Sequence, residues 1–325
     1  MVTDNGVTMV VPGDDPPQIQ DSAQLDRLEP YGEVILYTDR PADRTEKLDR
    51  VHDAEIILNT RSAVSWPGDV LRELPGLELI ATCSIGTDTI DLETAAEQGV
   101  TVCNQPTTTT PMVAEHAFAL MCATAKRVGY YTAELRDGRW PARENVYLQQ
   151  KTLGVIGAGN IGAELIRLAD AFGMDVICWT FNPSPDRADR LDVEFVSLET
   201  LLADADVVSL HVRLSPETAG LIGADELATM KQGALLVNTG RGELVDTEAL
   251  VDALERGHLG GAGLDVFDEE PLPTDHPLFE CEQIVLTPHV ADQTPESIAG
   301  LNEGIVDTVI AYLEGSPRNV VAPTG

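Results

Sequence analysis

The chain has 325 residues, 43% hydrophobic and 23% charged, enough apolar residue for two cores of ordinary size and too much for a disordered chain. Against 21 Lys and Arg stand 54 Asp and Glu, a formal net charge of −33, which makes binding to nucleic acid or to an anionic membrane surface unfavourable. Only four of the basic residues are lysines (Lys47, Lys126, Lys151, Lys231), a balance that suits either a cytoplasm at high salt, a halophilic setting, or simply an acidic protein.

In chain order, short apolar runs alternate with amphipathic stretches, the pattern of βα units and parallel sheets. The first set of strands is expected at Val7–Val11, Val34–Tyr37, Glu55–Leu58, Leu77–Ala81 and Val100–Cys103, with helical spacings at Leu25/Leu28, Val70/Leu71/Leu74 and Leu92/Ala95/Ala96 between them. Residues 104–111, Thr-rich and bounded by prolines, read as a linker or loop. One long helix is expected from Met112 to about Arg136, ended by Asp137-Gly138. A second set of strands follows at Thr152–Ile156, Asp175–Trp179, Val193–Val196, Val207–Leu210, Ala234–Asn238, Gly260–Asp265 and Ile284–Thr287, and Pro295 to about Leu313 reads as a closing helix.

The N-terminus carries Asp4, Asp14 and Asp15 without an apolar signal segment, and no window approaches the ~18 apolar residues of a membrane span, so a cytoplasmic protein is expected. Five cysteines show no C-x-x-C and no metal-ligand spacing; they read as inert thiols in a reducing compartment, and no metal site is expected.

The sharpest local motif is Gly157-Ala158-Gly159-Asn160-Ile161-Gly162, set between an expected strand and an expected helix. Gly157 allows a tight turn, Gly159 lets a pyrophosphate approach the backbone, and Gly162 allows close helix–strand packing, so a dinucleotide is the expected ligand. The acid that commonly ends the next strand is replaced by Thr180. Thr180 and Asn182 can bond a hydroxyl or a phosphate and Arg187 lies close in sequence, which leaves NAD(H) and NADP(H) both open.

Three further residues stand at or just beyond expected strand ends: Arg241 in Asn238-Thr-Gly-Arg-Gly242, Glu270 in Asp268-Glu-Glu-Pro271, and His289 in Thr287-Pro-His289. Each alone is unremarkable: a capping Arg, one of many acids, a structural His. Together they form a carboxylate anchor, a proton donor, and an anion that keeps the donor protonated, which is what hydride transfer to a ketone requires.

Over essentially its whole length the sequence resembles the D-isomer-specific 2-hydroxyacid dehydrogenases. The matching runs are Cys83 to Asp91, Gly99 to Asn104, Val113 to His116, Lys151 to Gly162, Ala205 to His211, Met230 to Gly242, Leu264 to Phe267 and Thr287 to His289. The resemblance implies an α/β protein of two Rossmann-like, doubly wound parallel-sheet domains, one flavodoxin-like and one dinucleotide-binding, with a cleft between them. Residues 1–104 with 293–325 would form the substrate domain and 105–292 the NAD(P)-binding domain, through which a homodimer would assemble.

The resemblance also assigns residues. Arg241, Glu270 and His289 fall on the catalytic positions, and Ser84, Ile85 and Gly86 on a loop whose backbone holds the substrate carboxylate. Asp265 falls on the position that meets the nicotinamide carboxamide, and Thr110, Val212 and Thr239 on cofactor-lining positions. His211 and Arg213 belong to the same cofactor-lining stretch; His116 and His211 read as structural or cofactor-contacting, and Arg61 is a candidate at the edge of the substrate site. Gln150 stands where a Gly is usual and Arg213 where a Pro is frequent. The implied reaction is reduction of a 2-oxoacid or oxidation of a D-2-hydroxyacid. Formate oxidation is disfavoured by Glu270, and a dinucleotide-sensing scaffold without turnover is the alternative. The chain's end soon after the closing helix weakens a phosphoglycerate reading, and the substrate's side chain stays open.

Overall fold

In the computed structural model residues 6–321 are described. They divide into two compact units, one running up to Thr109 and resuming at Gln293, the other Thr110–Asp292. In the first unit five strands, β1 (Val7–Val11), β2 (Gly32–Leu36), β3 (Ile56–Asn59), β4 (Leu79–Thr82) and β5 (Thr101–Cys103), form a wholly parallel sheet of order β2-β1-β3-β4-β5. This is the flavodoxin-like order. The inner strands β3 and β4 are buried along their whole length, as a sheet covered on both faces demands. Val10, Ile57, Ile80 and Val102 pack on one face with Val51, Leu71 and Ala95 from the intervening helices. Met9, Val11, Ile56, Leu58 and Leu79 pack on the other with Leu301, Ile305, Val306 and Val309 of the helix Pro295–Leu313. That helix starts where Thr294 accepts a cap from the Ser297 N–H and Pro295 sits in its first turn.

In the second unit seven strands, β6 (Thr152–Ile156), β7 (Asp175–Trp179), β8 (Glu194–Phe195), β9 (Val207–Leu210), β10 (Leu235–Asn238), β11 (Gly261–Leu264) and β12 (Ile284–Leu286), make a parallel sheet of order β12-β11-β10-β9-β6-β7-β8. The order reverses at β6, so the crevice beyond the carboxyl ends of β6 and β9 is this sheet's ligand position.

The long helix expected over 112–136 is two helices, Thr110–Ala125 and Val128–Arg136. Arg127 between them takes a left-handed φ of 52°. Its Nε donates to the Glu144 carbonyl and Lys126 Nζ to the Val146 carbonyl, so the returning segment holds the break, and Gly129 lies just beyond it in the first turn of the second helix. Two shorter expectations also change form: Leu25–Leu28 is a single 3₁₀ turn, and Leu74 lies beyond the short helix Gly68–Leu71.

No helix among the described residues is long and apolar enough to cross a membrane. With 54 acids against 21 bases, repulsion among exposed carboxylates opposes the compact state at low ionic strength. The melting temperature is expected to climb by several degrees as KCl rises from about 0.1 M to about 2 M; a flat or falling calorimetric series would show that the charge carries no such penalty.

Candidate active site

The Gly-rich loop follows β6. Gly157 has φ 107°, and a Cβ there would sit 2.6 Å from the His211 carbonyl oxygen beyond β9. A Cβ on Gly162 would lie 2.0 Å from the Gly157 oxygen, whereas one on Gly159 meets nothing within 4 Å. The first and third glycines are therefore required by packing, whereas the chain leaves open space over the second. Helix Asn160–Phe172 begins there without a side-chain cap, leaving first-turn N–H groups at Ile161 and Gly162. The buried hydroxyls of Thr110 and Thr239 have no hydrogen-bond partner among the described residues. Exposed backbone at Gly159, uncapped amides and two orphaned hydroxyls are a set that a dinucleotide fits.

At the end of β7, Thr180 is half-buried and Asn182 exposed. Arg187 reaches back from the helix Pro185–Leu191, donating to the carbonyls of Asn182 and, at 2.9 Å, Ala158 of the Gly-rich loop. Sequence proximity only hinted at that link. His211 bonds Ser209 Oγ at 2.8 Å, and burial pushes its pKa down to about 4, so its ring is neutral. Val212 is partly covered and Arg213 exposed.

Arg241, Glu270 and His289 are brought together. Gly242 packs so tightly on the backbone of Phe267 and Asp268 that a Cβ would fall 1.9 Å from the Phe267 carbonyl carbon. The turn carrying Arg241 is thereby locked to the segment leading to Glu270. Asn238 shapes that turn, accepting the Gly240 N–H at 3.0 Å and donating to the Arg241 carbonyl at 2.8 Å. Glu270 accepts the Phe267 N–H at 3.0 Å through one oxygen and meets His289 Nδ1 at 2.8 Å through the other. A carboxylate accepts, so Nδ1 carries a hydrogen, and Nε2 is the nitrogen left to gain or lose a proton. The hydrogen bond to Glu270 raises the pKa of His289, outweighing burial and the nearby Arg241 charge, which lower it. Burial works to raise the carboxyl pKa of Glu270, but the bonds from His289 and Phe267 outweigh it and hold the group below its usual range.

His289 has a left-handed φ of 52°. Asp265, just past β11, holds it: its carbonyl accepts the His289 N–H at 2.7 Å, and its carboxylate accepts the Val290 and Ala291 N–H groups, each at 3.0 Å. The Thr287 hydroxyl adds a bond of 2.5 Å to the same carboxylate. The side chain of Asp265 is only 1% exposed. The resemblance gives Asp265 to the carboxamide; within the chain its carboxylate also braces the turn beneath His289, and neither this brace nor the part of Thr287 in it could be seen in the motif pattern. His116 lies in the same network, 2.9 Å from Thr287 Oγ1.

In the five-stranded unit the 84–86 loop has its carbonyls tied back: Ser84 to the Gln105 N–H, Ile85 to Asn104 Nδ2, and Gly86 to the Ser84 hydroxyl. Among the described residues no acceptor takes the N–H groups of Ser84, Ile85 or Gly86, a backbone nest suited to an anion. Arg61 and Ser62 both have φ 52°, and the Ser62 hydroxyl bonds that of Ser84 at 2.9 Å. Arg61 itself makes no hydrogen bond among the described residues. None of the five cysteines forms a disulfide, and no group of metal-ligating side chains occurs among the described residues.

The family description "D-isomer specific 2-hydroxyacid dehydrogenase, NAD binding domain" matches residues 118–291. A glyoxylate reductase of Korarchaeum cryptofilum is 38% identical over 307 residues, 91% of this chain and 92% of that one. A D-3-phosphoglycerate dehydrogenase of Mycobacterium tuberculosis is 40% identical over 283 residues, 86% of this chain but 53% of its own length. The crystal structure of an NADPH-dependent glyoxylate/hydroxypyruvate reductase from Sinorhizobium meliloti, in complex with NADP and malonate, superposes with a TM-score of 0.86 at 28% identity, covering 98% of this chain and 97% of that one. A parallel sheet with a dinucleotide turn, and beside it an Arg, a Glu and a His, defines a nicotinamide-dependent oxidoreductase. The chain belongs to the D-isomer-specific 2-hydroxyacid dehydrogenase family.

Because the hydrogen bond to Glu270, and with it the carboxylate charge, lifts His289, Glu270→Gln should lower the ring's titration midpoint in an NMR titration. An unmoved midpoint would mean that the contact does not govern the ring.

Proposed function

We propose that the protein reduces small 2-oxoacids, and oxidises the corresponding D-2-hydroxyacids, with Arg241, Glu270 and His289 as its catalytic set. The 2.8 Å bond between His289 Nδ1 and Glu270 carries this reading. A nicotinamide cofactor, when bound, supplies or takes the hydride at C2 of the substrate. Gly159 and the first-turn amides at Ile161 and Gly162, after Asn160, hold its pyrophosphate; Thr110 and Thr239 offer their hydroxyls to it, and His211, Val212 and Arg213 line its path. Arg241 grips the substrate carboxylate as a planar fork. In reduction His289 Nε2 gives its proton to the ketone oxygen, and Glu270 keeps the ring cationic until then; in oxidation the neutral ring takes that proton back. In the other unit, the N–H groups of Ser84, Ile85 and Gly86 are suited to a carboxylate, and the unpartnered Arg61 to a further acidic group.

The cofactor reading inclines to NADP(H). Thr180 offers no carboxylate to repel a 2′-phosphate, and Arg187 brings a cation against the Gly-rich loop. Five cysteines without a disulfide support a cytoplasmic setting. A homodimer through the cofactor unit is supported by helix Val128–Arg136, which buries none of its residues, and by the following Trp140, 90% exposed.

A panel of glyoxylate, hydroxypyruvate, phosphohydroxypyruvate and a branched 2-oxoacid, run in parallel with NADH and NADPH, tests the function directly. His289→Ala should lose about 10²–10⁴-fold in turnover, the usual worth of a positioned acid or base. The reduction rate should fall as pH rises through the raised His289 pKa and oxidation should show the opposite limb, both moving to lower pH in Glu270→Gln. Absence of turnover with every oxoacid would favour a dinucleotide-sensing scaffold instead. Separately, Thr180→Asp should shift preference toward NAD(H), by adding acceptors for the ribose diol and repelling the 2′-phosphate. A wild-type preference for NAD(H) above about a thousandfold, ~4 kcal/mol, would contradict the cofactor reading.

A further inference from the structure

The brace beneath His289 does not end at Asp265. Helix Thr110–Ala125 brings His116 to it, with Nε2 2.9 Å from Thr287 Oγ1 and 3.4 Å from Asp265 Oδ1. Thr287 spends its one hydroxyl hydrogen on Asp265, at 2.5 Å, so its oxygen has only lone pairs to offer His116. His116 therefore donates from Nε2 to Thr287, Thr287 donates to Asp265, and Asp265 holds the backbone of residues 289–291. The links run in one direction, and the last two hold the turn that carries the reacting imidazole: the carbonyls of Thr287 and Asp265 both accept the His289 N–H, at 3.1 and 2.7 Å.

We propose that His116 is a positioning residue that, through Thr287 and Asp265, fixes the turn presenting His289 in its left-handed conformation. The role rests on the catalytic reading of His289, but its physical claim, that the donor on His116 controls the setting of the His289 ring, stands without turnover. The charged groups facing that ring are Glu270, Arg241 and Asp265, with His116 behind Asp265. With its donor gone, Thr287 is free to rotate and Asp265 loses its orientation. The turn then relaxes away from Glu270, and the ring loses part of the anionic surroundings that favour its cation.

Three variants decide it. His116→Leu keeps bulk without a donor, His116→Gln restores an N–H, and Thr287→Val removes the middle link at equal volume. In His116→Leu the NMR titration midpoint of His289 should fall by about half a unit or more, and kcat for glyoxylate reduction by roughly tenfold. KM values for glyoxylate and cofactor should stay within about twofold. His116→Gln should recover most of both losses, and adding His116→Leu to Thr287→Val should cost nothing further. The proposal is overturned by an unmoved His289 midpoint in His116→Leu. It is equally overturned if the damage appears only in cofactor KM, which would make His116 a cofactor contact, or if Gln performs no better than Leu. Should His116→Leu melt too low to study, Thr287→Val alone must reproduce the fall in midpoint. If the wild-type chain turns over no oxoacid, the catalytic reading fails while the titration still decides the brace.

Discussion

Parallelism is the constraint from which the chemistry follows. When every strand of a sheet runs the same way, every carboxyl end lies along one edge, and whatever follows each strand is delivered there. In the seven-stranded unit this gathers residues far apart in sequence: the Gly-rich loop after β6, Thr180 after β7, His211 after β9, Arg241 after β10, Asp265 after β11 and His289 after β12. None of these is placed by its neighbours in the chain. Each is placed by the register of its strand, and the registers are held by side chains such as Val155, Val208, Leu236 and Ala262, which are buried to within a few per cent.

The same edge resolves an electrostatic conflict. A chain of net charge −33 is poorly suited to attract a dinucleotide or an oxoacid, both anions. The seven-stranded unit answers locally, with first-turn amides and the cations Arg187 and Arg241. Coulomb forces between exposed charges fade over roughly 8–10 Å in ordinary salt, so the charge of the whole molecule governs its stability and solubility more than the binding of a ligand seated among donors. Glu270 is committed to the site because one of its oxygens accepts the Phe267 amide and the other His289.

Much of this was legible in the sequence for identifiable reasons. Buried parallel strands are continuous apolar runs, so β1, β6, β7 and β9 stood out with the bounds they have; glycines that need open space or a tight turn left the mark at 157–162. Gln150, which departs from the family's Gly, adopts φ 63°, the conformation for which that Gly is suited. What stayed hidden depends on contacts between distant segments. The helix break at Arg127 is held by carbonyls at Glu144 and Val146, with Gly129 as a weak local signal. The tie from Arg187 to Ala158, and the use of Thr287 and Asp265 beneath His289, likewise exist only once the strands are aligned.

The buried Asp265 shows why a site of this kind accepts an expensive group. Removing a carboxylate from water costs several kcal/mol in practice, and it is tolerated only when donors replace the lost water. Here three N–H or O–H groups converge on it, two of them backbone amides immediately following His289. An Asn would bring one acceptor oxygen and two misdirected hydrogens, leaving an amide of the turn unpaired, at about 1–3 kcal/mol. A non-glycine residue at positive φ is itself strained by about 1–3 kcal/mol, so the turn at His289 persists only where its surroundings over-determine it. The charge on Asp265 is what over-determines it, and the same anion lies near enough to help keep the imidazole protonated. One buried carboxylate thus holds the turn that presents the ring and adds to the anionic surroundings that Glu270 chiefly supplies.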